Sequence, residues 1–163
     1  MSQMTVEELN DLIRREFPQS KAILETISPR RCRVRIPINS SHLRPGGTVS
    51  GPTMMSLADN AMYLALLAEI GPVLLAVTTN LNIHFVRKPE ADRDLLGECH
   101  IFKLGKKLAV GEVRIFSEGI DDLVIAKFDA TANEVKGLEI RGYPTLKFYP
   151  KGDKSGLDYN GDR

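Results

Sequence analysis

The run from Pro52 to Ile70, PTMMSLADNAMYLALLAEI, is apolar on nearly every side when wound into a helix. A helix lying on a protein surface keeps one polar face; a helix without one has to be covered all round. Pro52 suits the first helical turn, and Gly71-Pro72 ends the run. Whatever else the chain forms must enclose this helix. One carboxylate, Asp59, lies about two turns into it, among Met55, Leu57, Ala58 and Met62. A charged group in such company needs a partner or a chemical role.

The flanking sequence supplies a cover. Thr5 to Phe17 reads as an amphipathic helix: Thr5 is a candidate N-cap with Glu8 three residues on, and Val6, Leu9, Leu12 and Ile13 share a face. Pro18 stops it. Ala22–Ile27 and Arg31–Ile38 read as strands, the second alternating charged with apolar residues as a sheet with one wet face does. Residues 39–50 read as loop, broken by Pro45, Gly46 and Gly47. After the long helix, Leu74–Val86, Asp94–Leu104 and Lys107–Ser117 are β-prone, with Gly105-Lys106 as a hairpin turn, and Leu123–Asp129 follows as a further strand. The order of helix, two strands, long helix and four strands predicts an α+β protein. Its antiparallel sheet wraps one central helix, the hotdog architecture. The short connections among the last strands argue against a parallel, doubly wound sheet.

Composition narrows the function classes. The 163 residues suffice for one sizeable core. Lys+Arg 22 against Asp+Glu 21 leaves a net charge of +1, which argues against nucleic acid as a partner held by bulk charge. No apolar run reaches the ~20 residues of a membrane span, so no membrane partner is expected. The N-terminal residues are acidic where a secretion signal is basic and apolar. Cys32 and Cys99 form no CxxC, and reduced thiols in a cytoplasmic protein are the simpler reading. His42, His84 and His100 fall into no metal-ligand spacing, and neither GxGxxG nor GxxxxGK[ST] occurs; no metal or cofactor is expected.

The segment RPGGTVSGPTMMSLADNAMYLALLAEIGPVLLAVTTNLNIHFVRKP, with GECHIFKLGKKLAVGEVRIFSEG after it, resembles the PaaI-type acyl-CoA thioesterases over about residues 5–122. Many members carry a histidine-glycine-glycine run at the helix start and an aspartate two turns in. Here Ser50-Gly51-Pro52 stands in that place, so the histidine is lost, and Asp59 occupies the aspartate position. The resemblance implies hydrolysis of acyl-CoA to free acid and CoA, in a homodimer or homotetramer whose active sites form between subunits.

Such chemistry needs a carboxylate to attack the thioester or activate water, and donors for the developing oxyanion. Asp59 fits the first role as nucleophile or general base; the plainer reading is a packing carboxylate satisfied by a nearby hydroxyl. Gly51 heads the helix, where unpaired N–H groups favour an oxyanion, while Pro52 donates nothing. Glycine and proline also simply punctuate that junction, with Ser50 and Thr53 beside them as substrate-binding candidates. The resemblance implies a hydroxyl near the aspartate of the partner subunit. Thr78 matches the position best, with Thr79 and Asn80 as offsets, although threonine is also an ordinary strand residue. Arg44, Arg87 and Lys88 could meet the CoA phosphates, as could the Lys103–Lys107 turn; solvated charge is the default for all of them. A non-catalytic acyl-CoA-binding module remains the alternative function.

The C-terminal sequence VIAKFDATANEVKGLEIRGYPTLKFYPKGDKSGLDYNGDR resembles part of a catalytic thioredoxin domain of protein disulfide isomerase, from about residue 123 to 163. Tyr143-Pro144-Thr145 matches the cis-proline position of that fold. No CxxC is present, so the redox pair is missing. The expectation is a chimeric chain: a thioesterase-like domain over 1–130 and a hairpin-like extension over 131–163. A recombined chain without natural function is the further alternative.

Overall fold

The computed structural model describes residues 2–126, together with residues 147–148 and 157–158. Helix α1 spans Val6–Glu16 and opens with a complete capping box. The Glu8 N–H donates to Thr5 Oγ1 at 3.2 Å, and the Thr5 N–H donates to Glu8 Oε2 at 2.8 Å. Its buried residues are Leu9, Leu12 and Ile13. Strands β1 (Ile23–Ser28) and β2 (Arg31–Ile36) form a hairpin. Helix α2 runs from Gly51 to Ile70 and ends at Gly71, whose φ of 85° is a conformation that glycine adopts without strain. Strands β6 (Leu95–Leu104), β7 (Ala109–Ser117) and β8 (Leu123–Ala126) follow, so the segments on either side of α2 build one sheet.

The loop expected over residues 39–50 holds more structure than its glycines and proline suggest. A 3-10 turn at Ser40–His42 leads into a short ladder of β3 (Leu43–Arg44) with β4 (Thr48–Val49), closed around Pro45-Gly46-Gly47. His42 is half-buried, and its Nδ1 accepts the Asn39 N–H at 3.1 Å.

The main sheet has the order β1-β2-β6-β7-β8-β5, every neighbour antiparallel, with β5 at His84–Phe85. Helix α2 packs across β2, β6 and β7 and buries Leu57, Ala58, Ala61, Leu64, Leu67 and Ala68 against Val34, Leu95, Ile101, Val113 and Ile115. This is the antiparallel sheet around a central helix that the element order predicts. Cys32 and Cys99 lie directly opposite each other on β2 and β6, both buried as small core residues.

Two expectations need correction. Helix α2 is not covered all round within one chain: Met55 and Ser56 are exposed, and Asp59 and Leu66 are half-buried. The sheet wraps the other sides and leaves this stripe open. The strand expected over Leu74–Val86 shrinks to His84–Phe85, and residues 74–83 run without regular structure. Ile83 packs against the core, but Leu75 is 90% exposed and Val77 79%.

The two sheet edges are finished differently. On the β1 side, the Asn10 side chain imitates a neighbouring strand: Nδ2 donates to the Leu24 carbonyl at 2.9 Å, and Oδ1 accepts the Leu24 N–H at 2.9 Å. A bulge beside it releases Glu25 from the ladder, and Glu25, Asp94 and Glu118 gather around Arg35. Hydrogen bonds from Arg35 to Glu25 first, then Asp94 and Glu118, hold its proton more firmly than usual. The β5 edge carries no such cap among the described residues.

The chain divides into two compact units, Met1–Ala132 and Asn133–Arg163. In the second, β9 (Lys147–Phe148) pairs antiparallel with β10 (Leu157–Asp158), within the extension expected to be hairpin-like. Residues 127–129 of the expected last strand and Tyr143-Pro144-Thr145 lie outside the described residues.

Removing the Asn10 side chain strips two hydrogen bonds from a strand edge. Asn10→Ala is expected to lower stability by about 1–3 kcal/mol, read from the urea midpoint at unchanged slope. No shift in midpoint would show that water replaces the cap without loss.

Candidate active site

The head of α2 leaves one donor free. Of the first four backbone positions of a helix, none has an intrahelical acceptor. Here the Ser50 N–H donates to the His42 carbonyl at 2.9 Å, Pro52 has no N–H, and the Thr53 N–H donates to Ser50 Oγ at 3.3 Å. The Gly51 N–H remains, without an acceptor among the described residues. The ring of Phe85 lies over it: a Cβ at Gly51 would sit 3.6 Å from Phe85 Cζ.

Gly51 opens into a cavity of about 380 Å³ lined by Met54, Val49, Phe85 and Val86 on its apolar side, and by Arg44, Arg87 and Lys88 on its cationic side. Arg87 also pairs with Asp122, whereas Arg44 and Lys88 make no ion pair among the described residues. Three cationic candidates dispersed in sequence thus meet the candidate oxyanion donor in one place.

Asp59 stands elsewhere on the helix. It lies on the open stripe, and its Oδ1 accepts the Thr78 hydroxyl at 2.5 Å. In this chain Thr78 therefore stands beside its own Asp59, and it reaches there from an irregular segment instead of a strand. One turn further on, the Tyr63 hydroxyl donates to the Leu74 carbonyl at 3.2 Å. Burial, with a smaller contribution from Glu16, pushes the Tyr63 hydroxyl above its usual range, so it keeps its proton for that bond. Tyr63 and Asp59, four residues apart on one face, together pin residues 74–78 to α2.

Eight residues separate Gly51 from Asp59, about 12 Å along a helix and roughly a quarter-turn around it. A thioester carbonyl bound at one Gly51 is out of reach of the same chain's Asp59.

The remaining candidates divide. Ser50 and Thr53 are engaged in capping: Ser50 Oγ lies 2.9 Å from Thr53 Oγ1, which also donates to the His42 carbonyl at 3.4 Å. Thr79 and Asn80 are exposed, and Asn80 Oδ1 accepts from Asn82 at 3.3 Å. Among the described residues no three His, Cys, Asp or Glu side chains gather to hold a metal. Sequence reasoning missed Phe85, Met54 and Tyr63. The placement of Phe85 depends on a long-range strand pairing that no local pattern announces; the Tyr63 position, one turn after Asp59, was open to inference from helical spacing.

The thioesterase superfamily profile matches residues 46–124, which contain both Gly51 and Asp59. A solved structure from Silicibacter sp. TM1040, assigned as a thioesterase, is 40% identical and covers 78% of this chain and 90% of its own length, with a TM-score of 0.72. Mouse thioesterase superfamily member 2 shares the fold at 21% identity, 78% and 95% coverage and a TM-score of 0.67. So does the Escherichia coli PaaI protein of the phenylacetic acid degradation operon, at 21% identity, 72% and 85% coverage and a TM-score of 0.60. The fold and the helix-borne site define a hotdog-fold protein of the thioester-hydrolase class. The chain belongs to the thioesterase superfamily. A different relative matches a short stretch: rabbit protein disulfide-isomerase is 54% identical over 43 residues, 26% of this chain. The chain spans 8% of that protein's length.

If Ser50 serves as a cap, Ser50→Ala costs about 1 kcal/mol of stability in a denaturant titration, and Ser50→Asp restores it. A Ser50→Ala protein of unchanged stability would free that hydroxyl for another role.

Proposed function

We propose that the chain hydrolyses acyl-CoA thioesters to free acid and CoA as a homodimer, with each active site assembled from two copies. The observation that carries this reading is the cavity at the head of α2. There a Gly51 N–H without an acceptor among the described residues, an apolar wall and the cations Arg44, Arg87 and Lys88 meet, which are the three features a thioester on a phosphorylated carrier requires. The phosphates take Arg44, Arg87 and Lys88, and the acyl-thioester end turns its carbonyl to Gly51.

The carboxylate comes from the other copy, because Asp59 of the same chain lies too far along its helix. Thr78 occupies Oδ1 of that carboxylate and leaves Oδ2 to attack the carbonyl or to take a proton from water. If Oδ2 takes the proton, water adds to the carbonyl and the oxyanion forms against the Gly51 N–H; its collapse breaks the C–S bond as that proton passes to the departing CoA sulfur. If Oδ2 attacks, the C–S bond breaks to leave an Asp59–acyl anhydride and CoA thiolate, and water then cleaves the anhydride, giving the free acid and supplying the thiol proton. A second copy also explains the open surfaces. The uncapped β5 edge and exposed Leu75, Val77 and Met55 form one side that a partner can cover by extending the sheet. Two such dimers could pair further into a tetramer.

No helix among the described residues is long and apolar enough to cross a membrane, and we read the protein as cytoplasmic. Residues 1–130 are taken as the thioesterase domain. Residues 131–163 are read as a joined extension without redox chemistry, since the sequence lacks a CxxC.

The geometry gives a direct test. Asp59→Asn is expected to lower thiol release from acyl-CoA by at least about a hundred-fold, and Gly51→Pro, which deletes the N–H, by a similar factor. Mixed after denaturation and refolding, the two inactive variants should recover about a quarter of wild-type activity, since half the dimers are mixed and each holds one intact site. No recovery despite mixed dimers would refute the shared site. A folded wild type that binds acyl-CoA without releasing thiol would point instead to a binding module.

A further inference from the structure

Apart from Lys21 and Arg93, which donates to the Glu118 carbonyl, the cations of the described residues 2–126 fall into three groups. Arg14, Arg15, Arg33, Arg35, Arg87 and Arg114 each pair with a carboxylate. Arg44 and Lys88 face the cavity already assigned to substrate phosphates. A further set, Lys103, Lys106 and Lys107 at the β6–β7 hairpin and Arg30 and Arg31 at the β1–β2 turn, is exposed and makes no ion pair among the described residues. The fold brings these five to one end of the sheet. The Ile101 N–H donates to the Arg30 carbonyl at 2.8 Å, and Arg31 lies opposite His100. The acidic groups at this end are fewer: Glu69, which accepts the Arg30 N–H at 2.7 Å and keeps its charge, and Glu112, which pairs with Arg114. In a chain of net charge +1, this end is strongly positive.

Two large apolar side chains stand among those cations. Between Ile101 and Lys103 the β6–β7 register shifts, so Phe102 and Lys103 face one partner position and both emerge at the surface. Gly111 allows this tight crossing, because a Cβ there would fall 2.6 Å from the His100 carbonyl. Phe102 is 43% exposed, edge-on to His100, and Leu108 across the hairpin is 52% exposed. Exposed lysines without ion-pair partners among the described residues, surrounding a phenylalanine and a leucine at a hairpin tip, fit an interface with charge on top and hydrocarbon beneath.

We propose that this hairpin docks on an anionic lipid surface, with Phe102 and Leu108 entering the headgroup–acyl boundary and the cations meeting lipid phosphates. Lysine suits such a surface because it is a compact point charge that meets phosphates in any arrangement, where a fixed nucleotide phosphate favours the arginine fork. The hairpin packs beside the C-terminal half of α2, where Met62 approaches Gly111, whereas the substrate cavity lies at the N-terminal end. Docking is thus separate from the proposed hydrolysis.

Co-sedimentation of the full chain with vesicles of phosphatidylcholine alone, and of phosphatidylcholine mixed with phosphatidylserine, tests the proposal. Binding is expected on the anionic vesicles only and should weaken as salt rises. Lys106→Glu with Lys107→Glu should reduce it at least about ten-fold. Phe102→Ser with Leu108→Ser should remove the part that survives high salt, with circular dichroism matching wild type for both variants. Equal binding to both vesicle types, or wild-type binding by both folded variants, would overturn the proposal. So would displacement by free CoA, which would make the hairpin a nucleotide site. An altered oligomeric state in the Phe102/Leu108 variant would overturn it too, by assigning the surface to a second copy, and equal competition by an oligonucleotide would reduce it to a general polyanion patch.

Discussion

Everything in this fold follows from the need to bury one apolar helix with a sheet that cannot close around it. Strands β2, β6 and β7 supply Val34, Leu95, Ile101, Val113 and Ile115, which pack against Leu57, Ala58, Ala61, Leu64 and Leu67 of α2. A six-stranded open sheet has two edges and one concave face, so it covers a helix on some sides and leaves the rest to something else. The stripe of Met55, Asp59 and Leu66 is that remainder. Placing the carboxylate on the uncovered stripe resolves the tension that the sequence presents: Asp59 sits among apolar neighbours along the chain but need not bear the cost of full burial.

The same geometry separates the chemical parts. Helix termini expose backbone donors, and helix faces expose side chains; a donor at the head and a carboxylate two turns down cannot converge on one carbonyl. A chain with both is either inactive alone or completed by another copy. The two sheet edges bear on that choice in opposite ways. Asn10 closes the β1 edge by occupying the Leu24 donor and acceptor, while the β5 edge has no such cap among the described residues and Leu75 and Val77 of the preceding segment are exposed. An edge left open next to apolar side chains is a template for pairing.

Features governed by local rules were legible in the sequence. The Thr5–Glu8 capping box, the span of α2, the β6–β7 hairpin and the strand alternation of Arg31–Ile36 all arise from short-range chemistry, and each appears where the pattern puts it. The segment 74–86 was not legible, because β-propensity reports how a side chain fits a sheet and not whether a neighbouring strand is present. Asp59 could be singled out by its mismatch with its surroundings. The company of Gly51 could not, since Arg44, Phe85 and Lys88 come from both sides of α2 and meet through pairings distant in sequence.

The cavity wall of Phe85, Val86 and Arg87 hangs on the strand where the two resemblances in this chain meet. The thioesterase profile runs to residue 124, and the likeness to protein disulfide isomerase sets in near Leu123. Phe85 pairs with Ile125 in the ladder, the Val86 and Arg87 N–H groups both donate to the Val124 carbonyl, and Asp122 holds the Arg87 side chain. Most of this support is backbone hydrogen bonding, indifferent to side-chain identity. What the sheet requires of residues 123–126 is β-propensity and an apolar side chain at Val124, which is buried. Leu-Val-Ile-Ala meets that requirement whichever parent supplied it. A junction placed inside a strand therefore preserves the cavity, whereas one placed a few residues earlier, at Asp122, would take the partner of Arg87 with it.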